Sequence, residues 1–405
     1  MKINPSVFSI LAAIAGLLPI SALAAEKKSA ASSPDFTNGG VIPANAKHDW
    51  NLGRTGARGW IYTNEFETTE ARQIYITQVD AGLPGASVLQ TGDVILGVGG
   101  AKFSHDPRTE FGKAISAAEG GDGALKLSVW RGGKTSDVVV RLPVLGSYGA
   151  TAPFDCPKST RILEQGCEAL ARNVKANPKA GNEITRSLNA LALLASGRAE
   201  YLPLVREEVE RAAKYSDPEG KEYHSWFDGP VTILVAEYTL ATGDRTFLPD
   251  LTRLALDISR GQSSVGSWGH RFAAPGGKLR GYGMMNAPGL PLTTSLILAR
   301  VAGVKSPELG AAIAKSLLLV RFYVGKGSIP YGDHPAWTQA HDDNGKNGIA
   351  AVMFHLAGEP EPARTRMSVA SHGAERDCGH TGNFFNILWQ CPALLCPGHR
   401  RPARG

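Results

Sequence analysis

The chain has 405 residues, 43% hydrophobic and 20% charged, which is the composition of a folded protein of two or three domains and excludes disorder over most of its length. Lys2, Arg400, Arg401 and Arg404 lie at the two ends, and setting those four aside takes the formal net charge from +6 to +2. A nearly neutral body excludes an electrostatic nucleic-acid binder.

In chain order, residues 1–25 read as a secretory signal peptide. Lys2 supplies the positive start, Val7 to Ile20 the apolar stretch and Ala22-Leu23-Ala24 the small-residue cleavage pattern. No later stretch reaches about 18 uninterrupted apolar residues, so no membrane span is expected once the signal is removed. The mature protein is expected to be periplasmic or secreted. Residues 26–47, rich in Ser, Ala, Pro and Gly, read as a flexible leader. Five cysteines (Cys156, Cys167, Cys378, Cys391, Cys396) permit disulfides, and a Cys156–Cys167 bridge is one pairing that spacing alone does not decide.

From 48 to 148 the pattern turns to short strands. Arg72 to Val79, Asp93 to Val98, Leu125 to Trp130 and Val138 to Leu142 alternate as strands do, and Arg131-Gly132-Gly133-Lys134 is a hairpin signal. Arg108 to Glu119 places Phe111, Ile115 and Ala118 at helical spacing. The run from Val79 to Gly100, VDAGLPGASVLQTGDVILGVGG, closely resembles the core of a PDZ domain of the bacterial protease-associated type. The resemblance covers about 100 residues. It implies that an extended peptide or a protein C-terminus adds to a free sheet edge. The carboxylate loop would be Arg58-Gly59-Trp60-Ile61, with Trp60 and Ile61 on the groove floor and Phe111 and Ile115 on its helical wall. A PDZ unit that serves only as a structural spacer is the alternative.

From 157 to 389 the chain reads as helical hairpins. Gly197, Gly243, Gly303 and Gly358 each end an apolar helix, as a C-cap glycine does, and each is followed by a short turn and a further helix or its start. One hairpin cannot bury its apolar face alone, so the units must stack. Gln262-Ser-Ser-Val-Gly-Ser-Trp268 matches the Gln-x-x-x-Gly-x-Trp motif of triterpene-cyclase toroids. The expected fold class is therefore α+β and multidomain, a small PDZ-like β domain followed by an all-α toroid of the terpene-cyclase and prenyltransferase architecture. The helices between Pro157 and Trp389 are too few to close a six-hairpin ring. Residues 390–405 read as an irregular tail. The whole order resembles a secreted bacterial PDZ–toroid family of the planctomycete type, from which no activity carries over.

Chemistry is expected where loops enter successive inner helices, around 223–230, 281–288, 341–348 and 377–386. Each puts Asp or Asn near Gly, and capping alone accounts for one polar residue per loop. The surplus gives the candidate cavity residues Trp226, Asp228, Trp268, Tyr282, Asn286, Asn344, Lys346, Asn347, His380 and Asn383. Asp342 or Asp343, with His341 orienting it, could serve as general acid or base. Asp377, Cys378 and His380 suit zinc chemically, but they crowd into four residues where one ion needs ligands from several directions, so no metal site is assigned. No phosphate loop is present and the sequence names no cofactor. The leading expectation is a secreted protein that binds peptide through the PDZ unit and an unidentified ligand in a toroid pocket. The rival is an enzyme of hydrolase, lyase or cyclase type.

Overall fold

A computed structural model describes residues 33–46, 49–64, 68–217, 223–336 and 344–359. The chain divides into two units, 1–147 and 148–405. The expected signal peptide, the tail from 390, and His341, Asp342, Asp343, Cys378, His380 and Asn383 lie outside the described residues. Among the described residues no helix is long and apolar enough to cross a membrane.

The first unit is an antiparallel sheet of seven strands: β1 (Trp50–Asn51), β2 (Ala57–Trp60), β3 (Ile74–Val79), β4 (Val94–Val98), β5 (Ala101–Lys102), β6 (Ala124–Arg131) and β7 (Lys134–Arg141). Their order is β1-β2-β3-β4-β6-β7, with β5 paired to β4. Alternation buries Ile74, Ile76, Ile95, Leu125, Leu127 and Val129 on one side, where Phe111 of α1 (Pro107–Gly120) covers them. Two pins hold the turns. Asp106 caps α1 by accepting from the Arg108 N–H at 2.9 Å and from Thr68 at 2.6 Å. Asp93, wholly buried, takes two bonds from Arg131 at 2.6 and 2.7 Å and one from the Gln90 N–H at 2.9 Å.

Three expectations for this unit need correction. Part of the supposed flexible leader is docked: Phe36 is buried, with its ring 5.7 Å from Trp60 and 4.9 Å from Tyr75, and its N–H donates to Gln73. The strand carrying Gly59 is not a free edge, because β1 pairs with it at Trp50↔Gly59 and Asn51↔Arg58. Trp60, Ile61 and Phe111 are core residues and Ile115 packs against that core, so they do not line an open groove. Arg58 is already engaged: its Nε donates to Asp49 Oδ1 at 2.7 Å, and this bond holds the Asp49 carboxyl below its usual range. Gly59 itself is required by packing, since a Cβ there would lie 2.5 Å from Ile74 Cγ2.

The second unit is a two-layered stack of helices: α2 (Pro157–Ala176), α3 (Glu183–Ala195), α4 (Leu202–Ala213), α5 (His224–Thr242), α6 (Leu248–Arg260), α7 (Asn286–Val301), α8 (Pro307–Arg321) and α9 (Asn344–Leu356). One layer runs α3-α5-α7-α9, each helix packed on the next, and α4, α6 and α8 back it. α7 is buried from Asn286 through Ala299, which explains why an inner helix is apolar all round while α4 and α6 carry one apolar face. Gly197, Gly243, Gly303 and Gly358 follow α3, α5, α7 and α9 with φ of 68°, 73°, 111° and 74°, the left-handed conformation that ends a helix. Cys156 and Cys167 are separate thiols. Cys156 precedes α2 and Cys167 lies eleven positions along it, about 16 Å by helical rise, beyond the reach of a disulfide.

Candidate functional site

The N-terminal ends of α5, α7 and α9 meet a set of irregular loops, and the polar residues there are not helix caps. α5 already starts at His224 and α7 at Asn286, earlier than caps at Asp228 and Asn286 would set them. Asp228 therefore sits in the second turn of α5, and its carboxylate faces His224 Nδ1 at 3.2 Å. His224 Nε2 accepts the Phe272 N–H at 3.0 Å, so the imidazole carries its proton on Nδ1 and donates it to Asp228. Both are buried, and burial pushes the Asp228 carboxyl up while the His224 bond opposes it. With both ring nitrogens occupied, the pair ties α5 to the loop at 269–272.

Neutral amides fasten the other two helices. Asn286 Nδ2 donates to the carbonyls of Pro330 and Gly332 at 3.0 and 3.2 Å. Asn347 accepts the Ile329 N–H at 2.9 Å and donates to the Gly327 carbonyl. Bridges Trp268–Met285 and Met285–Gly332 complete the lacing. Lys346 is buried beside Asn347, and only the backbone of Asn344 is described, at the start of α9.

The Gln-x-x-x-Gly-x-Trp segment clamps this assembly from outside. Gln262 Nε2 donates to Ala312 O and Ser316 Oγ, each at 2.9 Å, and Ser316 Oγ donates to Gly266 O at 2.7 Å. Trp268 is fully buried and donates from Nε1 to Ile258 O at 2.9 Å. Trp268, expected to line a cavity, is a packing residue.

What remains at the surface is a continuous group of rings. Tyr223 and His270 lie 4.4 Å apart, Trp226 stacks on His270 at 6.3 Å, and Tyr282 is 6.0 Å from His270. Tyr331 closes the group, 6.2 Å from Trp226 and 6.3 Å from Tyr282. The Trp226 indole N–H donates to His270 Nδ1 at 3.0 Å, which fixes both rings. Tyr282 is 61% exposed and Tyr223 47%. Tyr223 also has φ of 69°, a conformation that strains a bulky side chain by about 1–3 kcal/mol and marks places where geometry is held for a purpose.

The model of a family described as a domain of unknown function, DUF6288, matches residues 159–404. The chain belongs to the DUF6288 family. The match starts at α2 and takes in the stacked helices, the amide lacing and the ring cluster, and it runs on through 390–404, the stretch set apart as a tail by its pattern. No curated protein and no solved structure matches the chain.

Within the DUF6288 region, the structure brings Trp226, Asp228, Tyr282, Asn286, Lys346 and Asn347 to the same ends of the inner helices. Only Trp226 and Tyr282 belong to the ring cluster. Among the described residues no three His, Cys, Asp or Glu side chains gather as a metal site. Sequence reading passed over His270, Tyr331 and Glu237. The first two carried a signal, an aromatic or His beside Gly in a loop flanking an inner helix. Glu237 lies on α5, half-buried, with no hydrogen bond or ion pair among the described residues, and burial pushes its carboxyl up.

Proposed function

We propose that the protein is a secreted binding protein whose helical unit, built as an α/α toroid, takes a neutral ligand with flat apolar faces on the Tyr223–Trp226–His270–Tyr282–Tyr331 cluster. The observation that carries this reading is the continuity of five rings, with two of them well exposed and their mutual orientation fixed by the Trp226–His270 bond. Exposed aromatic faces give large contact area at little side-chain entropy cost, as binding surfaces require. The test is a glycan and peptide array probed with the full chain and with Tyr282→Ala. Tyr282 is exposed, so its loss leaves the fold intact. Hits that Tyr282→Ala binds as well as the parent would defeat the assignment.

The first unit fits the same reading as a PDZ domain that docks an extended peptide, supported by its strand–turn–helix order. Peptide addition to β2 requires β1 to leave Arg58 and Gly59. Removing Trp50 and Asn51 should then strengthen peptide binding, and unchanged affinity would leave the unit as a spacer. Gly59→Pro does not decide the matter, because it breaks the packing on Ile74.

An enzymatic reading has one specific support, the unpaired Glu237 carboxyl. A half-buried acid whose carboxyl is pushed up by burial suits general acid catalysis. Turnover that survives Glu237→Gln would remove it from that role.

A further inference from the structure

We propose that two copies of the chain associate through the outer edge of β7, continuing the sheet across a twofold axis. The β6–β7 hairpin turns through Gly132 and Gly133, both at positive φ, so Arg131 and Lys134 face each other as a bonded pair. The register then runs unbroken to Ala124↔Arg141. Antiparallel pairing alternates, so Lys134, Ser136, Val138 and Val140 exchange bonds with β6. Thr135, Asp137, Val139 and Arg141 turn their N–H and C=O groups the other way. Among the described residues nothing takes those groups. The turn Pro84–Ser87 comes near β7 but bonds to none of them.

This edge lacks three of the usual protections, a short length, a register shift and a proline, and keeps only its charges. The opposite edge, β1, has two residues, and β2–β3 and β4–β6 each carry a register shift, whereas β7 has eight residues with neither a shift nor a proline. A long, straight, unpaired strand is a template for another strand. Its side chains say which strand. Asp137, Val139 and Arg141 all face solvent. An antiparallel copy centred on Val139 sets Val139 against its own counterpart and Asp137 opposite Arg141 of the second copy, twice by symmetry. In that register Asp137, Val139 and Arg141 meet partners whose backbone groups also point outward, so those pairs exchange both bonds, while Val138 and Val140 face each other and keep their bonds to β6. Centring on Asp137 or on Arg141 would set like charges face to face, and centring on Val138 or Val140 leaves both charges unmatched. The strand is thus complementary to itself in one register, as an isologous contact requires. Five residues on each side fall short of the roughly 1,000 Å² of a stable interface, so the dimer is weak and depends on concentration.

Sedimentation velocity of the full chain over a concentration series tests this. The parent should pass from monomer to dimer. Val139→Pro removes an N–H that makes no bond to β6, which an edge strand tolerates, and should keep the chain monomeric with an unchanged melting temperature. Asp137→Arg should weaken association at least about tenfold, and the Asp137→Arg, Arg141→Asp double variant should restore it. A parent that stays monomeric throughout overturns the proposal, as does association indifferent to both Val139→Pro and Asp137→Arg. A monomeric chain whose β7 amides are protected from exchange by a random peptide pool would overturn it in favour of peptide addition.

Discussion

The two units face one problem, irregular chain that must be held without regular pairing, and they solve it with different chemistry. In the sheet unit the pins are charged: Asp93 with Arg131, Asp49 with Arg58, Asp106 at the start of α1. In the helical unit they are mostly neutral amides and one indole: Asn286, Asn347, Gln262 and Trp268. The difference follows burial. The arginines in the sheet unit stay partly in water, with Arg131 45% exposed as a side chain, so a charge at the turn is not fully desolvated. Asn286, Asn347 and Gln262 are buried, and there an amide satisfies backbone groups without the several kcal/mol that a buried ion requires.

The comparison breaks most sharply at Trp268. Trp268→Ala removes a fully buried indole and its bond to Ile258 O, and should cost about 3–5 kcal/mol. Hydrogen exchange should show the loss in α6–α8 and none in β3–β6. Second is Asp93→Ala, which leaves the Gln90 N–H and Arg131 without their carboxylate. Because Arg131 regains water, about 2 kcal/mol is expected, read as faster exchange in β4 and β6 only. Third, Asn286→Ala strips two buried carbonyls of their donor and should cost about 1–2 kcal/mol. It should also weaken any ligand held on Tyr331, which lies between the two carbonyls that lose the Asn286 side chain. If Asn286→Ala proves costlier than Asp93→Ala, the charged pins are the weaker kind.

Much of the fold could be read from residues. β3, β4, β6 and β7 announce themselves by alternation and by the Gly132-Gly133 turn, α1 by its spacing, and the hairpins by glycines at C-caps. β1 could not be read this way, because two residues carry no alternation and its partner is chosen by tertiary pairing. The docking of Phe36 on Trp60 and Tyr75 is equally non-local. The candidate site was half legible. Among the described residues the chain entering α5, α7 and α9 does converge, as stacked hairpins dictate, but Asp228, Asn286 and Trp268 take other roles than those expected. Asp or Asn near Gly before an apolar run reads as a cap, which sets the expected starts of α5 and α7 after Asp228 and Asn286. Once the helices begin at His224 and Asn286, those side chains point to other partners, and the ring cluster emerges from residues that have no periodic signature.

The smallest expected effect sharpens the comparison through pH. In the sheet unit the carboxylates with resolved shifts, Asp35, Asp49 and Asp106, are all lowered, so they add stability above the ordinary carboxylate range and lose it as pH falls through their folded values. Glu237 runs the other way. Its folded carboxyl binds a proton more tightly than the unfolded one, because burial disfavours the anion. Its contribution is complete below the ordinary value of 4.5 and is lost as pH rises through the raised folded value. Glutamine mimics the protonated acid, so Glu237→Gln should be more stable than the parent at neutral pH and equal to it near pH 4. Urea unfolding at a series of pH values measures the gap directly. A gap that stays constant with pH would mean that folding does not raise the Glu237 carboxyl, and it would take away the one support for acid catalysis in the helical unit.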